Sequence, residues 1–181
     1  MTGGAAAYDD AMASPDLPSA ATPRWLDAEE RATWLSLSRI IVKLPSALDG
    51  QLERDADLNY FEYIVMAMLS EQEDRTLRMS QLAALSNASL SRLSHVAKRL
   101  ENRGFLQREP DPDDGRYTRA VLTDAGMDKV VNSAAGHVTA VRELVFDALS
   151  ATQQRRLREA IDAILNRVDP GNSSWPTPPA I

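Results

Sequence analysis

Residues Ser89–Gly126 read SLSRLSHVAKRLENRGFLQREPDPDDGRYTRAVLTDAG, and the stretch changes period in its middle. In its first part Leu90, Leu93, Ala97 and Leu100 recur at spacings of three and four, with Val96 beside them. That is the apolar stripe of an α-helix. Ser89 is a residue type that caps a helix N-terminus, and Gly104 one that ends a helix in a left-handed conformation. The opposite face carries Ser91, His95, Lys98 and Asn102, flanked by Arg92 and Arg99 on one side and Ser94 on the other. One side of this helix is greasy; the other offers hydrogen-bond donors and positive charge.

After Gly104 the pattern becomes extended. Phe105–Glu109 and Tyr117–Leu122 read as short strands, joined by Pro-Asp-Pro-Asp-Asp-Gly-Arg. Those linking residues are turn formers, and Gly115 can supply a positive φ. The spacing therefore predicts a helix followed directly by a β-hairpin with a charged tip.

Working outward, a short helix is expected over Met79–Leu85, with Leu82 and Leu85 facing inward. Asn59 and Glu62 have the spacing of a capping box, opening a helix over Tyr60–Leu69 that is apolar nearly all round and so expected to be buried. Trp34, Leu37, Ile41 and Leu44 mark an earlier helix beginning near Leu26, which Pro45 kinks or restarts. Thr123 starts a long helix to about Leu149, with a stripe of Val130, Ala134, Val138, Val141, Val145 and Ala148. Ser150 and Gln153 form another capping-box pair before a last helix carrying Leu157, Ile161, Ile164, Leu165 and Val168.

The expected fold is mainly α with a small β-wing: a winged helix-turn-helix lobe plus a helical dimerisation region. The layout is a disordered N-terminal tail over 1–22, an N-terminal dimerisation helix within 23–56, and the winged lobe over 57–123. C-terminal dimerisation helices follow over 124–169, then a flexible tail over 170–181. Both tails are rich in the small, polar and proline residues that do not build a core. The first and last helices carry more apolar stripe than one small lobe can cover, which points to a homodimer.

Composition narrows the function. The chain has no cysteine and only two histidines, His95 and His137. Thiol chemistry and disulfides are thereby excluded; two histidines speak against a histidine-rich metal site and leave carboxylate-only sites open, and no cofactor is expected. The longest apolar run, Tyr63–Leu69, is too short to span a bilayer, and the N-terminus lacks a basic signal-peptide start, so a cytoplasmic protein without a membrane partner is expected. The net charge is −6, yet Arg78–Arg119 holds eight basic and five acidic residues, a local net of +3. A basic middle between acidic ends suits a DNA reader.

A helix-turn-helix places its second helix in the major groove. Ser91, Arg92 and His95 lie early on the outer face and are candidates for base edges. Ser89, Ser94, Lys98 and Arg99 are candidates for phosphate, with Ser89 equally suited to be only a cap. Arg116 at the hairpin tip suits a narrow minor groove. Asp114 would repel phosphate unless paired, and Arg116 or Arg119 could pair with it and stiffen the wing. Ser91 and His95 stand one turn apart, but no glycine-rich elbow, oxyanion hole or orienting acid accompanies them, so an esterase is not supported. A winged-helix protein-interaction module that binds no DNA is the alternative reading.

Taken together, "LRMSQLAALSNASLSRLSHVAKRLENRGFLQRE" and "DPDDGRYTRAVLTDAG" resemble the helix-turn-helix and wing of the MarR family of bacterial regulators. The family's Asp-x-Arg and Leu-Thr-x-x-Gly signatures fall on Asp114, Arg116, Leu122, Thr123 and Gly126. The resemblance covers about Leu26 to Val168. It implies a homodimeric repressor on a palindromic double-stranded DNA operator, released by a small, often aromatic, effector. It maps the minor-groove arginine onto Arg116 and the recognition helix onto Ser89–Arg103. Many relatives carry arginine where this chain has His95. Trp34, Tyr60, Tyr63 and Met66 are suited to an aromatic-accepting ligand pocket, though such residues are more often plain core or dimer packing.

Overall fold

A computed structural model of the chain describes residues 23–170, so the two expected tails lie outside the described residues. The elements are α1 (Ala28–Ala56), α2 (Tyr60–Ser70), β1 (Thr76–Arg78), α3 (Met79–Leu85), α4 (Leu90–Asn102), β2 (Leu106–Pro110), β3 (Thr118–Leu122), α5 (Asp124–Val141) and α6 (Ala151–Val168). A π-helical segment, Arg142–Phe146, follows α5. The mainly helical fold with a small antiparallel sheet is the expected one. The chain divides into two compact units, one ending at Arg39 and the other running from Ile40, so the division falls within the 23–56 segment.

Four differences from the sequence reading have physical causes or consequences. Pro45 does not restart a helix; α1 continues through it. The sheet has a third strand, β1, too short for alternation to reveal; it pairs antiparallel with β3 at Thr76↔Val121, Leu77↔Ala120 and Arg78↔Arg119. The helix from Thr123 does not keep its period to Leu149. It widens at Arg142, where the Asp147 N–H donates to the Arg142 carbonyl at 2.8 Å, five residues back. Leu90, counted in the apolar stripe, is the first residue of α4 and is 57% exposed.

In the second unit the core gathers Leu52, Leu58, Met66, Leu69, Leu82, Leu93, Leu100 and Leu106, each essentially fully buried. Strand order is β1-β3-β2, and β3 turns Ala120 and Leu122 into this core while its alternate residues lie nearer solvent. That alternation follows from the period of two along a strand.

The junction between α4 and α5 is tight. Gly104 takes φ +75°, which glycine adopts without strain, and reverses the chain after α4. The Thr123 hydroxyl donates to the Gly104 carbonyl at 2.7 Å and accepts the Gly126 N–H at 3.0 Å, capping α5 against the end of α4. Gly126 has no room for a side chain: a Cβ there would stand 2.1 Å from the Phe105 carbonyl oxygen. Gly126→Ala is therefore expected to destabilise the protein by about 1–3 kcal/mol through overpacking against backbone. Urea denaturation, read as a lowered midpoint with an unchanged slope, checks it.

Candidate nucleic-acid interface

Helix α4 is set by its own ends. Ser89 is the N-cap of α4, its hydroxyl accepting the Arg92 N–H at 3.2 Å. Leu93, Val96, Ala97 and Leu100 are buried, which turns Ser91, Ser94, His95 and Lys98 outward to solvent. Asn87 in the preceding turn sits at φ +48°, a conformation asparagine tolerates. The outer face of α4 thus presents two serines, a histidine and a lysine on one exposed surface.

The arginines divide sharply. Arg99, expected to meet phosphate, donates from Nε to the Glu62 carboxylate at 3.0 Å. Glu62 is only 5% exposed. Arg103 pairs with Asp57 at 2.9 Å, and Arg108 with Glu101 at 2.7 Å. Arg108 holds the Glu101 carboxyl below its ordinary range by hydrogen bonding. Arg92 has no carboxylate partner among the described residues; its guanidinium lies 4.3 Å from the centroid of the Phe61 ring.

The wing tip is built from an arginine fork and a buried carboxylate. Arg116 grips Asp114 with Nε at 2.9 Å and Nη2 at 2.6 Å, and its own N–H also donates to Asp114. The side chain of Arg116 is nonetheless 84% exposed. Of the two arginines weighed as partners of Asp114, Arg116 holds it; Arg119 pairs instead with Glu109, its cross-strand neighbour. Below the tip, Asp111 is only 5% exposed. One of its oxygens accepts Arg78 Nε at 2.6 Å, and the other accepts the N–H groups of Asp113 and Asp114. Arg78 also lies over the Tyr117 ring, 4.8 Å from its centroid. The side chain that ends β1 therefore latches the hairpin. Hydrogen bonding from Arg78 and from Arg116 holds the carboxyls of Asp111 and Asp114, respectively, below the ordinary aspartate range.

The aromatic candidates separate. Met66 is fully buried core, and Tyr63 is buried beside it. Tyr60 and Tyr63 face His137 of α5, with ring centroids 6.0 and 4.6 Å away. Burial pushes the His137 pKa down and both tyrosine hydroxyls up. Trp34, in the first unit, is 54% exposed and lines a shallow groove with Leu26, Thr33 and Leu37. A separate open cavity of about 730 Å³ lies between α1 and α5, lined by Gln51, Arg54, Asp55, Gly136, Thr139 and Glu143.

Sequence reasoning missed Phe61, Glu62, Arg78 and Asp111 as builders of this surface. Glu62 was visible only as half of a capping box, and Asp111 as one of three acids in a turn. Their partners lie 37 and 33 residues away in sequence, beyond any local pattern.

The MarR family model matches residues 58–118. A MarR family transcriptional regulator from Streptomyces coelicolor, solved in complex with DNA, superposes with a TM-score of 0.79 at 40% identity, over 84% of this chain and 95% of that one. AbsC, another MarR family regulator from Streptomyces coelicolor, gives 0.76 at 32% identity, over 81% and 98% of the two chains. The transcriptional repressor MprA of Escherichia coli is 23% identical over 136 residues, 74% of this chain and 77% of that relative.

The latch gives the wing a pH dependence with a definite sign. A carboxyl whose folded pKa is depressed contributes stability above its unfolded value, and that contribution is lost as pH falls through the folded pKa. Wing order is expected to hold above the ordinary aspartate value of 3.8 and to fall below it. Asp111→Asn keeps the turn acceptor but removes the charged partner of Arg78. Its wing amides should exchange faster at neutral pH and show a smaller additional loss on acidification, read by hydrogen exchange.

Proposed function

The chain belongs to the MarR family of transcriptional regulators, and on that premise we propose that it is a sequence-specific repressor that binds a palindromic double-stranded DNA operator as a homodimer. It is a regulatory protein rather than an enzyme. The observation that carries the DNA reading is the outward face of α4, with Ser91, Ser94, His95 and Lys98 exposed and the charge of Arg92 unpaired by any described carboxylate. The 40% identical relative solved with DNA supports the same reading.

The roles sort by chemistry. Arg92, Ser91 and His95 face base edges in the major groove, where arginine to guanine is the commonest specific pairing. Ser94 and Lys98 meet phosphate, while Ser89 holds the helix end and offers its cap site to the backbone. Arg99 reaches phosphate with its remaining N–H donors while Glu62 holds its Nε. Arg116, carried at the tip by Asp114, enters the minor groove. Arg119 braces the wing strands through Glu109.

The dimer is supported by α6, none of whose residues is buried. Leu157, Ile161, Ile164, Leu165 and Val168 all stand exposed at helical spacing on it. Segments 23–56 and 124–169 supply the dimerisation helices, and 57–123 the reading lobe. Two-fold symmetry then sets the two reading helices about one DNA turn apart, roughly 34 Å. A small effector that releases the DNA is supported by the size of the cavity between α1 and α5, which falls in the usual range for small-molecule sites. Its aromatic character is what the family resemblance implies, since no aromatic side chain, and none of Trp34, Tyr60, Tyr63 and Met66, lines that cavity. Among the described residues no helix is long and apolar enough to cross a membrane. A DNA partner sets the protein's work in the cytoplasm.

Selection from a random duplex pool, followed by titration at several salt concentrations, tests this. An enriched palindrome bound more weakly as salt rises is expected. Arg116→Ala should weaken binding to that duplex and lower the salt slope by about one unit. Arg92→Ala should reduce discrimination at one base pair by about 1–3 kcal/mol. No enrichment at low salt would reject DNA reading and favour a protein-interaction module.

A further inference from the structure

Seven arginines lie between Arg78 and Arg119. Six are paired to carboxylates: Arg78, Arg99, Arg103, Arg108, Arg116 and Arg119. Among the described residues Arg92 alone has an aromatic ring in that place. We propose that Phe61, on α2, is a positioning residue for DNA recognition, holding the Arg92 guanidinium by its face so that its edge is presented to a base. This rests on the DNA-reading function proposed above and names a residue of α2 that acts in it without touching DNA.

The chemistry distinguishes the two kinds of partner. A carboxylate engages a guanidinium in its plane and occupies one or two of the five N–H donors from which a bidentate contact to guanine is made. A ring engages the flat face and leaves those donors unused. An arginine forked onto an acid has fewer donors left and a partly neutralised charge; one stacked on a ring keeps its charge and all five donors.

Local structure fixes both members. The Arg92 N–H is tied to the Ser89 hydroxyl, which sets it in the first turn of α4, the part of a recognition helix that meets bases. Phe61 lies in the first turn of α2, whose start is closed by the reciprocal bonds between Asn59 and Glu62. The next residue, Glu62, holds Arg99, seven positions or about two turns beyond Arg92 on the same flank of α4. Consecutive residues of α2 thus hold two arginines of α4.

The surroundings explain why a ring is needed. The groove holding Arg92 and Phe61 is also lined by Asp49 and Glu53 of α1, Asn59 of α2, and His95 and Arg99 of α4. Asp49 already accepts the Tyr60 N–H at 2.7 Å. Neither acid forms an ion pair with Arg92, but both stand close enough to line the same groove. Without the ring they are the groups that would draw the guanidinium off the reading face.

The test uses the full chain, with Phe61→Leu to keep apolar bulk and Arg92→Ala as the reference. In the free protein the Arg92 side-chain Nε–H resonance should be shifted upfield by the Phe61 ring and return toward its ordinary position in Phe61→Leu. On the duplex selected by the wild-type protein, Phe61→Leu should weaken binding about 3- to 10-fold. It should relax preference at the same base pair as Arg92→Ala and leave the salt slope unchanged. In an Arg92→Ala background it should have no further effect. An equal loss in both backgrounds, or a loss spread over all duplexes, would overturn the proposal in favour of plain packing. Wild-type binding and preference by Phe61→Leu would overturn it too. If Arg92→Ala itself leaves preference unchanged, base reading by Arg92 fails; if no duplex is selected by the wild-type protein, the functional reading fails and the proposal falls with it.

Discussion

The packing of α4 against α2 depends on one buried carboxylate. Glu62 accepts the Asn59 N–H with one oxygen and Arg99 Nε with the other, each at 3.0 Å, and Arg103 stands 3.9 Å away. The first bond starts α2; the second fixes α4 against it. A carboxylate taken from water is tolerable only when it is paired and hydrogen-bonded, so the two helices need each other at this point. The capping box and the helix-helix contact are the same group doing two things. Since α2 also meets α5 through Tyr60, Tyr63 and His137, one short helix touches both the reading element and the long helix behind it.

What could be read beforehand was what is local. The caps at Asn59, Ser89, Thr123 and Ser150 depend on residues three apart, and each is formed. The outer face of α4 followed from helical spacing, and the hairpin from a cluster of turn residues. The misses are non-local or too short. Strand β1 has three residues, fewer than an alternation needs to show itself. Arg99 carries the same sequence signal as any solvated arginine, and only the fold brings Glu62 to it. The π-helical widening at Arg142 had no proline or glycine to announce it. Pro45 had the opposite fault: its local signal left a kink or a restart open, and the continuity of α1 removes the restart.

Charge shows the same split between sequence and fold. Counting residues gives the segment Arg78–Arg119 a net of +3, but a count treats every arginine alike. In the structure six of them are paired with carboxylates, four inside the segment, one on α2 and one just after α1. The field that a DNA duplex would meet is therefore shaped less by the number of arginines than by which of them keep their donors turned outward. That makes Lys98 and Arg92 count for more than their share of the total charge.

The latch between Arg78 and Asp111 has a thermodynamic meaning beyond its geometry. A hairpin with an unanchored tip samples many conformations and must surrender them when it meets a partner, which weakens association. Here the tip is fixed by a buried carboxylate, two strand pairings and an arginine fork before any partner arrives. The entropy of ordering the wing is spent when the chain folds, so the surface it offers is already close to the shape it must keep.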